Sequence, residues 1–163
     1  MKEKLFSLWE YKHAPTKIED MALDPTVRKK LIRALDELPN LMLYGAPGTG
    51  KGTFAKILIK HTGYDSMWIN ASDETGIDTI RDKVKTFSTA LGMTEMKIVV
   101  LNEADSLSLG AQGAQKMLKQ LMEDVQKICR FIYLTNDLSL MTDAIQSRCQ
   151  VIDMSQPALK EIG

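Results

Sequence analysis

Apolar residues fall in short, separated blocks along this chain, and their spacing predicts alternating helices and strands. Asp24 followed by Pro25 reads as a helix N-cap with proline at the first helical position. Val27, Leu31, Leu35 and Leu38 then repeat on one helical face until Pro39 and Asn40 end it. "LMLY" (41–44) is apolar throughout, as expected of a strand buried on both faces. Phe54, Ile57, Leu58 and the later His61 fit a helix from about Gly52 to Gly63. "SMWIN" (66–70) reads as a strand and "GIDTIRDKVKTFSTAL" (76–91) as a helix. "KIVVLN" (97–102) is a strongly apolar strand and "GAQKMLKQLMEDV" (113–125) an amphipathic helix. "RFIYLT" (130–135) and "QVIDM" (150–154) add two strands, with short helical turns between them. Five strands with helices between them predict a parallel α/β sheet covered on both faces. Ligands of such sheets bind at the carboxyl ends of the strands. The loop from Gly45, the polar pair after Leu101 and the pair Thr135–Asn136 all follow strands, so they are expected to share one edge.

Size and composition leave this picture intact and exclude others. The chain has 163 residues, 44% of them hydrophobic, enough for one domain with its own core rather than a disordered chain. We expect a single domain over 1–163, with an N-terminal segment 1–23, a core 24–155 and a tail 156–163. Lysine plus arginine equals aspartate plus glutamate, 21 each, so any nucleic-acid binding must come from a local patch. No apolar run approaches the length of a membrane span, and Lys2, Glu3 and Lys4 precede only a short apolar patch, unlike a signal peptide. Cys129 and Cys149 have no metal spacing and read as reduced, partly buried thiols. A cytoplasmic protein with no membrane partner is expected.

The chemistry begins in "GAPGTGKGT", Gly45 to Thr53, directly after the first strand and opening the next helix. It almost fits the phosphate-binding pattern G-x-x-x-x-G-K-[ST], with Gly45, Gly50 and Lys51 in place. Gly48 and Gly50 let successive N–H groups turn inward around a phosphate, and the helix start adds its positive dipole end. Lys51 would reach the β- and γ-phosphates. Ala46, Pro47, Thr49, Gly52 and Thr53 complete the cradle. The residue after the lysine should carry a hydroxyl for Mg²⁺, but it is Gly52, and threonine comes one place late. The bland alternative is a glycine-rich turn with an accidental lysine; the strand before and helix after argue against it.

"KIVVLNEAD" is an apolar strand ending in polar residues, the Walker B arrangement, where two acids usually hold Mg²⁺ and orient the attacking water. Here the first position is Asn102 and the second Glu103. An amide can orient a water but supplies no countercharge to the metal, so a site built on Asn102 and Glu103 holds Mg²⁺ weakly, through water. Asn136, at the end of "FIYLTN", either touches the γ-phosphate or simply forms a turn before Asp137. Arg148, in "AIQSRCQVIDM", is by itself a surface arginine in a weak salt bridge.

Taken together, these residues resemble the AAA+ module of clamp-loader subunits, of the replication factor C small-subunit and phage type. The resemblance runs from about Trp9 to Met154. "LWEYKHAPTKIEDM" is similar to the family's opening, with Trp9, Lys12 and Pro15 in register, although His13 and Ala14 stand where tyrosine and arginine are usual. "NASDETGID" with Arg81, "NEADSL", "MLKQLME" and above all "SRC" are also similar. The resemblance implies a P-loop NTPase core with a five-stranded parallel sheet in the order 5-1-4-3-2. It implies Lys51 as the phosphate lysine, Glu103 as the catalytic glutamate and Asn136 as the γ-phosphate sensor. Arg148 becomes an arginine finger acting in the neighbouring subunit's site. Adenine would lie near His13, Pro15 and Ile18. Ile77, Arg81 and Lys83 are candidate DNA contacts, with a structural salt bridge the alternative for Arg81.

The same resemblance implies ATP or ADP as ligand, and as partners other clamp-loader subunits, a sliding clamp and primer–template DNA in the assembled complex. Alone, the chain is expected to be a monomer or weak oligomer. The compartment would be a host cytoplasm for a phage protein and the nucleus for a eukaryotic one. The chain ends at Gly163, so the helical lid and collar usual in the family are expected to be absent from it, in a fragment or a minimal form. Gly52 and Asn102 both weaken the Mg²⁺ shell, so ATP binding is expected and hydrolysis weak or absent. Two alternatives remain. A nucleoside monophosphate kinase carries G-x-P-G-x-G-K-G-T, which this loop also matches, but the arginine-rich lid of those enzymes is missing. A structural module that no longer binds nucleotide sits poorly with an intact Gly48, Gly50 and Lys51.

Overall fold

The computed structural model describes residues 15–72, 76–108 and 113–155. Five strands form one parallel sheet: β1 (Leu41–Tyr44), β2 (Asp65–Asn70), β3 (Lys97–Asn102), β4 (Cys129–Thr135) and β5 (Gln150–Asp153). Their order is β2-β3-β4-β1-β5, which is 5-1-4-3-2 read from the other edge, as the family resemblance implies. Among the described residues the α-helices are α1 (Pro25–Glu37), α2 (Lys51–Thr62), α3 (Ile77–Thr89), α4 (Ala114–Asp124) and the single turn α5 (Asp143–Gln146).

Alternation along the inner strands sorts the core into two layers, because successive side chains point to opposite faces. Val99, Leu101, Phe131 and Tyr133 face Ile80 and Val84 of α3, Leu118, Leu121 and Met122 of α4, and Ile145 of α5. Ile98, Val100, Ile132 and Leu134 face the other way, against Leu31 and Ala34 of α1 and Phe54, Ala55 and Leu58 of α2. Strands buried on both sides are apolar at every position, which is why "KIVVLN" and "RFIYLT" show no period of two. At the edge β2 alternates, exposing Ser66 and Trp68, and Lys56 of α2 lies over the indole, 5.9 Å from its centre.

Helix ends follow local chemistry. Asp24 caps α1 by accepting from the Thr26 N–H at 2.8 Å, with Pro25 at the first position. The helix stops when Leu38 turns left-handed, φ 43°, one residue before Pro39. Asn40 then sets the register of the central sheet: its side-chain oxygen accepts from the Phe131 N–H at 2.9 Å and its carbonyl from the Gln150 N–H at 2.8 Å.

Candidate functional site

Every strand ends at the same edge, and the polar residues come from the loops beyond β1, β3 and β4. Tyr44 pairs with Thr135 and Leu101 with Tyr133, so Gly45, Asn102 and Asn136 leave the sheet within a residue or two of one level. A backbone bond ties two of these loops: the Gly45 N–H donates to the Thr135 carbonyl at 3.3 Å.

The loop between β1 and α2 is open on its outer side. Ala46, Pro47 and Gly48 are exposed, and Gly48, φ 83°, has nothing within 4 Å of where a side chain would begin. Gly50, φ 96°, precedes α2 in left-handed backbone and gives the helix no side-chain cap. The first N–H groups of a twelve-residue helix therefore point into the loop without a side-chain partner from the cap residue, an arrangement suited to an anion. Thr49 is buried and turns its hydroxyl back to the Ala46 carbonyl at 2.9 Å, which fixes the loop's curvature. Gly52 and Thr53, in the first turn of α2, are half-buried.

Lys51 is only 9% exposed, and its ammonium donates to the carbonyls of Gly45 at 2.7 Å and Ala46 at 3.0 Å. Burial pulls its pKa below the ordinary lysine value, and the Asp105 carboxylate pushes it partly back. Asp105 sits half-buried on the 3-10 turn Ala104–Ser108 that follows Glu103. Its one signal in the sequence is the fourth letter of "NEAD".

Asn102 ends β3 opposite Asn70, and its carbonyl accepts from the Ala71 N–H at 2.9 Å. Glu103 is exposed and left-handed, φ 53°, a backbone state uncommon outside glycine, and its carbonyl accepts from the Ser106 N–H at 3.0 Å. Asn136 is exposed beyond Thr135, whose hydroxyl accepts from the Asp137 N–H at 3.2 Å. The side chains here fit a nucleotide's phosphates. They do not fit a metal held by the protein. Position 52 offers no oxygen, position 102 offers a neutral amide, and no group of three His, Cys, Asp or Glu among the described residues is placed to hold an ion. Space is not the obstacle at Gly52, where an added Cβ would meet only the Trp68 ring, at 3.8 Å.

The remaining candidates are more scattered. His13, Trp9 and Lys12 lie outside the described residues, as do 73–75 of "NASDETGID" and the tail 156–163. Pro15 is half-buried, while Ile18 is buried in the core against α1 and α2. Among the described residues of this segment, Met21 reaches the loop, and no local signal in the sequence marks it. A Cβ on Gly50 would come within 2.8 Å of its methyl group, so the methionine closes the space beside the glycine. Arg28 holds Met21 in place by donating to its carbonyl at 3.0 Å. Ile77 opens α3 and Lys83 is exposed along it. Arg81 pairs with Asp78 at 3.2 Å and Asp82 at 3.6 Å on its own helix, the salt-bridge alternative. Arg148 stands two residues past α5, its guanidinium bound to Glu123 of α4 and to the Ala144 carbonyl.

Known proteins give these features a family. The replication factor C small subunit of Methanocella arvoryzae is 37% identical over 154 residues, covering 88% of this chain and 47% of the relative. That of Archaeoglobus fulgidus is 36% identical over 166 residues, covering 96% of this chain and 50% of the relative. The chain thus spans about half the length of the curated relatives it matches. Among solved structures, the Thermotoga maritima RuvB Holliday junction branch migration motor superposes with a TM-score of 0.69 at 18% identity, covering 88% of this chain and 48% of that one. It shares the fold. The model of the ATPase family associated with various cellular activities matches residues 41–156, from the first residue of β1 past the end of β5. That stretch takes in the whole phosphate-loop sheet, and the chain belongs to this AAA family.

Proposed function

We propose that the chain is the ATP-binding module of a sliding-clamp-loader subunit, in which bound ATP helps open a clamp and place it on primer–template DNA. The observation that carries this reading is the meeting of Lys51, Glu103 and Asn136 at one sheet edge, in a chain so similar to replication factor C small subunits. The N–H groups at the start of α2 receive the phosphates and Lys51 binds the β- and γ-oxygens. Glu103 accepts a hydrogen bond from the attacking water and takes up its proton, and Asn136 contacts the γ-phosphate. Pro15 and Met21, with His13, border the adenine. Arg148 serves the site of an adjoining subunit. With Gly52 and Asn102 in place, binding outweighs hydrolysis at this chain's own site. In the assembly, DNA phosphates meet the N-terminus of α3 near Ile77, with Lys83 and Arg81 on the same helix.

The kinase alternative loses its support to the family match. Calorimetry with ATP, ADP and AMP tests the nucleotide site directly: ATP and ADP bind, and a mixture of ATP and AMP yields no ADP. Reconstitution with the partner subunits, clamp and primer–template DNA tests the rest. Clamp retained on DNA without any need for ATP binding by this chain overturns the proposal.

A further inference from the structure

Arg148 is anchored in a way that a plain surface ion pair does not require. Its Nε donates to Glu123 Oε1 at 3.1 Å, its Nη2 donates to the same oxygen, and its Nη1 donates to the Ala144 carbonyl at 2.8 Å. Guanidinium carries five N–H groups in a fixed plane. Three are taken, leaving one on each terminal nitrogen. Those two remain as donors for the oxygens of a phosphate.

The anchors come from two elements. Glu123 lies in the last turn of α4, twenty-five residues before the arginine, and Ala144 in α5. The side chains are 31% and 42% exposed, so the pair adds little to stability in water. What it fixes is direction. An arginine side chain free to choose among its rotamers must lose that freedom on reaching a phosphate; one already held has lost it beforehand.

We propose that Glu123 is the positioning residue for Arg148, holding the guanidinium so that its two remaining N–H groups face the phosphate of an adjoining subunit's ATP. This rests on the reading of Arg148 as a finger that acts in trans. Glu123 touches no substrate; it acts through the arginine.

The test uses the assembled complex of full-length subunits with only the adjoining site competent. Glu123→Ala should lower kcat at that site roughly tenfold or more, the scale of a misplaced catalytic group, with KM for ATP nearly unchanged. Glu123→Gln, which keeps an acceptor of the same shape, should restore part of the loss. Combined with Arg148→Ala, Glu123→Ala should add nothing further. Thermal unfolding of the single variants should stay near wild type. If Arg148→Ala slows the adjoining site and Glu123→Ala does not, the positioning role fails while the finger survives. If Arg148→Ala itself leaves the adjoining site at full rate, the underlying reading fails and this one with it.

Discussion

Replacing Lys51 with alanine isolates the contact on which the proposed nucleotide binding turns. The ammonium has three N–H groups, and two already reach the Gly45 and Ala46 carbonyls. One remains for phosphate. The side chain is nearly buried and held, so binding orders little that is not ordered already. The loss should thus be close to one charge-assisted hydrogen bond, about 1.5–3 kcal/mol, or roughly ten- to 150-fold in affinity. Isothermal calorimetry measures it for ATP, with AMP as control, because AMP has no β- or γ-phosphate for the lysine to meet. ATP binding should weaken by that factor and AMP binding should not change, with the far-UV spectrum of the variant unaltered. Equal weakening of both nucleotides would mean general damage to the loop. Undiminished ATP affinity would refute the phosphate role outright.

The proposed phosphate contact of Lys51 should also give ATP affinity a pH dependence. Its pKa is lowered in the free chain, the phosphates of bound ATP raise it, and protonated lysine is the binding form; affinity is therefore full below the free-state pKa and falls as pH rises through it, starting below the ordinary value of 10.5. Calorimetry across the alkaline range shows the fall in wild type and not in Lys51→Ala. Gly52→Thr should leave the melting temperature unchanged or slightly raised, since helix propensity favours threonine by a few tenths of a kcal/mol and the new Cβ meets only Trp68 at 3.8 Å. Combined with Asn102→Asp, it should raise hydrolysis above wild type when a neighbour supplies an arginine, by more than the sum of the single changes. The isolated chain should turn over ATP well below about one per second, because a trans arginine is worth roughly 10³–10⁵ in rate; a faster monomer in a phosphate-release assay contradicts the trans role. Burial pushes both the Cys129 and Cys149 thiols up to about 12, so alkylation by iodoacetamide at pH 8 should be far slower in the folded chain than in urea.

The fold was legible because its strongest signals are local. "LMLY" followed by glycines and then a helical apolar face leaves few readings other than strand, phosphate loop and helix, and observed ends lie within a residue or two of those expected. What escaped depends on residues far apart in the chain. Nothing near Arg148 names Glu123 as its partner, and nothing in the loop names Met21, whose spacing from Ile18 marks only an apolar side. Lys97 reads as the polar start of a strand, yet it is buried and its ammonium donates to the Phe87 carbonyl at 2.6 Å and to that of Ala90, tying down the end of α3. The left-handed backbone at Glu103 was equally invisible, because glutamate gives no sign of such a state as glycine would.

The sheet order has a consequence for how the chain is made. β1, the strand that carries the phosphate loop, pairs with β4 and β5, both later in the chain: Leu41 aligns with Ile132 on one side and Gln150 on the other. On a ribosome, the loop is synthesised before either flanking strand: β4 is complete only at Thr135, and the second neighbour, β5, only at Asp153. Contacts so distant in sequence make folding slow relative to helical bundles of this size. Until β4 emerges "LMLY" is an apolar strand with both edges unpaired, and until β5 emerges it has one, the kind of segment that chaperones retain and aggregates recruit. Nucleotide capture should thus begin only after β5 has emerged, and its onset marks the moment the central strand is enclosed.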